Sequence, residues 1–180
     1  MKVTPKIYFT PNGKEITIRE AVPTDALQLL ELKKAYIKDT TTIPLYVYEY
    51  KNDLEQEKQL IERYITEGNS LLLIALHGNT VIGNIDVTGS QREKLYHTAM
   101  IGMGVAYEWH NHKIGSFLMQ RTLQWATKNT ALKLIWLEVY STNTAGIKLY
   151  EKYNFEKTGV TRYFVNDKKM IDKITMVNYI

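Results

Sequence analysis

Residues 70–76, Ser-Leu-Leu-Leu-Ile-Ala-Leu, form an unbroken apolar run in mid-chain. A strand with one wet face alternates, so a continuous run of this length reads as a strand buried on both faces. It points to a central sheet with layers on either side. The flanking residues supply them. Ile16-Thr17-Ile18-Arg19 alternates as a strand does, and Pro23-Thr24-Asp25 opens a helix with Thr24 as N-cap, ending near Lys38. Leu54, Ile61, Tyr64 and Ile65 sit at helical spacing, with Gly68 as the stop. His77-Gly78-Asn79 reads as a hairpin turn into a return strand over 80–87. Further strands are expected over 98–105 and 134–139, and helices over 114–128 and 144–153. Two last strands meet at a turn, Asn166-Asp167-Lys168. The order β-α-α-β-β-β-α-β-α-β-β predicts a mixed α/β (α+β) domain on one central sheet. Residues 1–15 read as an N-terminal extension and 16–180 as a single domain.

Composition narrows the class. In 180 residues, 44% are hydrophobic and 23% charged, as in a globular protein. Cysteine is absent, which excludes disulfides, thiolate zinc sites and iron–sulfur clusters. No apolar run approaches the ~20 residues that span a bilayer, and the first ten residues lack a signal-peptide core, so no membrane and a cytoplasmic location are expected. The net charge of +4 is not concentrated: Lys33-Lys34 and Lys168-Lys169 are pairs, not patches. A nucleic-acid partner is therefore not expected, while a small anionic ligand needs only a few local cations.

Two stretches carry chemistry. In the first, 103–116, a strand enters a polar loop that opens a helix near Ile114-Gly115-Ser116. A helix N-terminus offers free N–H groups and the positive dipole end, a ready phosphate site, with His110, His112 and Lys113 adding donors. Gly102 and Gly104 leave one strand face bare, either for packing against bulky neighbours or for a ligand along the backbone. No Walker loop is present. His110 and His112 lack a third ligand, so no metal is expected. In the second stretch, 137–155, Asn143 fits a helix N-cap and Asn154 the left-handed residue that ends the helix.

Together these stretches resemble the GNAT superfamily of acetyl-CoA-dependent N-acetyltransferases, in the branch of ribosomal-protein N-terminal and polyamine acetyltransferases. The family's Val, then Arg/Gln-x-x-Gly-x-Gly/Ala, matches Val105 and His110-Asn111-His112-Lys113-Ile114-Gly115. Its Asn-x-x-Ala-x-x-Leu-Tyr-x-x-x-Gly-Phe matches Asn143, Gly146, Leu149, Tyr150, Asn154 and Phe155. His110 stands for Arg or Gln, Lys113 for the first Gly, Gly146 for Ala and Asn154 for Gly. The resemblance implies a twisted, mostly antiparallel mixed sheet of six to seven strands with about four helices.

It also implies acetyl transfer from acetyl-CoA to a primary amine, on a small molecule or a peptide N-terminus. The CoA pyrophosphate would lie on the N–H groups of residues 110–116, Ser116 included, with Lys113 crowding it or pairing with it. The pantetheine arm would pair with Met103, Gly104 and Val105, like an added strand, and with Asn143. The Val105 N–H would hold the developing oxyanion. Tyr150 would protonate the leaving thiolate, a role a phenol fills if its pKa is moderately lowered. The base is open between Asp86 and Glu138. The Tyr-rich segment from Tyr36 to Tyr50, with Asp39 and Glu49, would wall the acceptor side. With no cysteine for an acyl-enzyme, direct attack in a ternary complex is expected. A non-catalytic acyl-CoA-binding module is the alternative, and the final strands are candidates for pairing in a homodimer.

Overall fold

The computed structural model describes residues 2–167 and 169–180. Among the described residues, eight strands form one sheet in the order β1-β2-β3-β4-β5-β6-β8-β7. They are β1 (Lys6–Phe9), β2 (Glu15–Glu20), β3 (Leu71–His77), β4 (Thr80–Gly89), β5 (Thr98–Val105), β6 (Leu134–Tyr140), β7 (Glu156–Asp167) and β8 (Lys169–Tyr179). The helices are α1 (Ala26–Asp39), α2 (Leu54–Thr66), α3 (Ile114–Ala126) and α4 (Thr144–Lys152). Every strand pair is antiparallel except β5 with β6.

The apolar run becomes β3, buried along its length except at His77. Helices α1 and α2 pack on one face of the sheet and α3 on the other. On β4 the alternation sends Asn84, Asp86 and Thr88 toward α1 and α2, and Gly83, where a Cβ would touch Ile114, toward α3. Polar residues on a central strand thus lie beneath two helices.

Three expectations need adjustment. The sheet has one strand more than expected, because Lys6–Phe9 of the expected extension pairs with Glu15–Ile18 at the sheet edge. Four mostly exposed residues between prolines carry no periodic signal; only Tyr8 packs inward, stacked on Phe117 at 4.7 Å. Pro23–Asp25 is a 3₁₀ turn before α1, and Asp25, not Thr24, secures it: its Oδ2 accepts from the Val22 N–H at 2.8 Å while Arg19 grips both oxygens. Gly68 does not stop α2 by a left-handed turn; extended Glu67 does. Lys168 of the expected final turn lies outside the described residues, and Asp167 and Lys169 beside it pair across β7 and β8. Among the described residues no helix is long and apolar enough to cross a membrane.

Candidate active site

Strands β5 and β6 pair only over Thr98–Met100 with Leu134–Trp136, and beyond this they part. Which groups face the opening follows from parity. The Ala106 N–H bonds the Ile82 carbonyl and the Ser90 N–H bonds the Thr98 carbonyl, so even-numbered residues of β5 pair with β4. The N–H groups of Met103 and Val105 therefore point into the gap. On β6, the bonds Ser141 N–H to Asp172 and Ile180 N–H to Lys133 tie odd-numbered residues to β8, so the Glu138 backbone faces the same gap. This is a break in the ladder between two neighbouring strands, open to an added chain.

The gap floors a cleft of about 830 Å³. Its walls include Met103, Gly104, Val105, His110, Asn111, Lys113, Ile114, Gly115, Ser116, Asn143 and Tyr150, with Asp86 and Glu138. Of the residues expected to bind the cofactor or catalyse, His112 alone is missing: its ring packs on the edge of Trp109, centroids 5.6 Å apart. Of the expected acceptor wall, Tyr36 and Asp39 line the cleft, whereas Tyr50 does not and Glu49 bonds the Tyr46 N–H of its own turn. His110 lines the cleft but turns its ring inward, Nε2 lying 3.1 Å from the Val105 carbonyl oxygen, which it serves as donor. That bond occupies the Val105 carbonyl and leaves its N–H to the gap.

The loop before α3 is wound through two left-handed residues, Asn111 at φ 63° and Lys113 at φ 66°. Lys113 is the helix N-cap and supplies no side-chain cap, so the N–H groups of Ile114, Gly115 and Ser116 face the cleft uncapped. Asn143 caps α4 as expected, Oδ1 accepting from the Gly146 N–H at 2.9 Å. A Cβ at position 146 would press on that amide at 2.7 Å, which explains the glycine there. Asn154 is left-handed, φ 63°, as expected.

The bare face of β5 is filled from within. A Cβ at Gly104 would run into the Tyr36 ring, and one at Gly102 would come within 3.1 Å of the Asp86 carboxylate. The glycines admit these two side chains to the cleft rather than a ligand on that face.

The two candidate bases differ. Glu138 is exposed and tied to Lys173 at 2.7 Å. Asp86 lies deep in the cleft, and burial pushes its carboxyl up to about 6. The Lys33 charge and hydrogen bonds from Tyr64 and Thr88 hold it from rising further. Opposite Asp86, the Tyr150 phenol is pushed up to about 12, by burial first and by the Asp86 charge second. Both influences disfavour phenolate, so this environment does not supply the moderate lowering that the acid role was expected to use. No protein group hydrogen-bonds the Tyr150 hydroxyl among the described residues, which leaves it available to a ligand.

The profile of the Acetyltransferase (GNAT) family matches residues 31–155. The chain belongs to the GNAT acetyltransferase family. An L-amino acid N-acetyltransferase, AaaT of Escherichia coli, is 26% identical over 165 residues, 90% of this chain and 96% of that protein. The fold matches that of a GNAT-family acetyltransferase from Streptococcus pneumoniae with TM-score 0.89 at 24% identity, over 92% of this chain and 99% of that one. A putative acetyltransferase from Salmonella typhimurium, solved with acetyl-CoA, matches with TM-score 0.81 at 17% identity, over 91% and 93% of the chains. A ribosomal-protein-alanine N-acetyltransferase from Brucella melitensis matches with TM-score 0.80 at 22% identity, over 91% and 99%.

Lys33, Glu57 and Tyr64, which sequence reasoning did not connect to the site, surround Asp86 or its neighbours. Their signal was a charge inside an apolar stripe: Glu57 shares the buried face of α2 with Ile61 and Tyr64.

Proposed function

We propose that this acetyltransferase moves the acetyl group of acetyl-CoA to a primary amine by direct attack in a ternary complex. The parting of β5 from β6 carries the reading. It presents the Met103 and Val105 N–H groups beneath an open helix N-terminus, with a deep carboxylate on one side and an unoccupied phenol on the other. These donors suit acetyl-CoA. The N–H groups of Ile114–Ser116 with Lys113 suit the pyrophosphate, and the β5 edge and Asn143 suit the amide-bearing pantetheine arm. A 830 Å³ cleft has room for it.

Asp86 is the general base. At about 6 its carboxyl is mostly ionised at neutral pH yet basic enough to draw a proton from an ammonium. The freed amine attacks the thioester carbon, and the oxygen gathers charge against the Val105 N–H. The C–S bond breaks, and Tyr150 gives the sulfur its proton. The two groups work together. Asp86 is one cause of the phenol's reluctance to ionise, so once Asp86 is protonated Tyr150 becomes the stronger acid. Glu138, paired with Lys173, shapes the wall instead. The acceptor is a small amine, amino acid or peptide N-terminus.

Thiol release from acetyl-CoA across polyamines, amino acids, aminoglycosides and N-terminal peptides tests the reading. Release should need an amine, fall about 10²-fold or more in Asp86→Asn, and rise with pH through about 6 in the wild type. No amine-dependent release with any acceptor would refute it.

A further inference from the structure

Beneath Asp86, on the α1–α2 face, lies an ion pair that the chemistry above does not use. Lys33 Nζ stands 2.6 Å from Glu57 Oε1, and the Glu57 side chain is 0% exposed. The other Glu57 oxygen accepts from the Tyr50 hydroxyl at 3.0 Å and from Asn52 Nδ2 at 3.3 Å. Glu57 therefore ties α2 to α1 and to the segment that crosses between them. Neither Lys33 nor Glu57 lines the cleft.

A buried pair of this kind is a poor device for stability alone, since desolvating two charges offsets most of their attraction. Its placement is informative. The groups acting on Asp86 are Lys33 and Tyr36 of α1, Tyr50 of the crossing segment, Tyr64 of α2, Thr88 of its own strand and Tyr150 of α4. Lys33 is the single cation among them. The Lys33 ammonium is held by direct contact with the buried Glu57, while its charge acts on the half-buried Asp86 without touching it.

We propose that Lys33 and Glu57 are positioning residues for the reaction: Glu57 pins the ammonium at a fixed place under Asp86, and this counter-charge sets the pH range in which Asp86 accepts the amine's proton. The inference rests on Asp86 as base. Neither residue touches substrate. An ammonium free to swing onto Asp86 would make it too weak a base, and its loss would leave Asp86 protonated and idle near neutrality.

The test is the acidic limb of kcat/KM against pH, read with acetyl-CoA and any accepted amine. Lys33→Met should move the limb upward by about one unit or more. Glu57→Gln should move it downward, because it removes a negative charge and loosens the ammonium. Lys33→Arg should leave it near the wild-type position. The KM for acetyl-CoA should stay unchanged in all three. Opposite shifts from the two halves of one ion pair cannot come from a merely structural loss. Should Lys33→Met fail to fold, Glu57→Gln decides, since its amide can still bond Tyr50 and Asn52. A limb that does not move in Glu57→Gln, or that moves the same way in both variants, overturns the proposal. A limb that persists in Asp86→Asn instead overturns Asp86 as the base.

Discussion

Lys113 holds a backbone conformation that glycine adopts without cost, φ 66° and ψ 11°, at the mouth of the cleft. Its side chain brings a positive charge there in return. Lys113→Gly should therefore separate two effects: it should raise unfolding stability by up to about 1 kcal/mol, read by chemical denaturation, while weakening acetyl-CoA binding in calorimetry. Tyr150→Phe should slow thiol release about 10²-fold or more with little change in acetyl-CoA affinity, because the packing of the ring against Phe155 survives. Much at this scale was legible in advance. Asn143 and Asn154 are fixed by local backbone rules, which any sequence displays. The choice between Asp86 and Glu138 was not legible. Both are single carboxylates on strands, and only the tertiary structure shows one half-buried under α1 and α2 and the other exposed and tied to Lys173. Lys33 and Glu57 stayed hidden for the same reason, being 24 residues apart in sequence.

Among the elements, strands and helices with strong periodicity were readable, and the edge strand β1 was not, since four residues of which three are exposed leave no pattern. The gap between β5 and β6 was not readable either. Its cause is that β6 leaves β5 after three paired positions to follow β8 for seven. No local rule in either strand announces this. The turn into α1 shows how one side chain joins elements: Asp25 binds Arg19 of β2 and the Val22 N–H. Burial works against its charge, but Arg19 and the Val22 N–H prevail and hold its carboxyl below the usual carboxylate range. A lowered pKa stabilises the folded state above the unfolded value and loses that contribution as pH falls through the folded one. Asp25→Asn should accordingly lower the thermal midpoint at neutral pH. It should also flatten the fall in stability that the wild type shows below about pH 4.

Across the whole molecule, the sheet face under α1 and α2 mixes the polar Asn84, Asp86 and Thr88 with the buried Leu72 and Ile74 that pair beside them. The cleft opens where the two faces communicate through the β5–β6 gap. This accounts for Asp86 and Tyr150 acting on each other although they belong to different layers. It also gives the net charge of +4 a modest role, since the cations that matter are local. The central claim is that this gap receives acetyl-CoA as an added strand. Residue-resolved amide hydrogen exchange with and without acetyl-CoA tests it most directly. Acetyl-CoA should slow exchange at Met103 and Val105, whose N–H groups face the gap. It should leave Gly102 and Gly104, already bonded to β4, close to their free rates. No change at Met103 and Val105, or equal slowing at all four, would contradict the account.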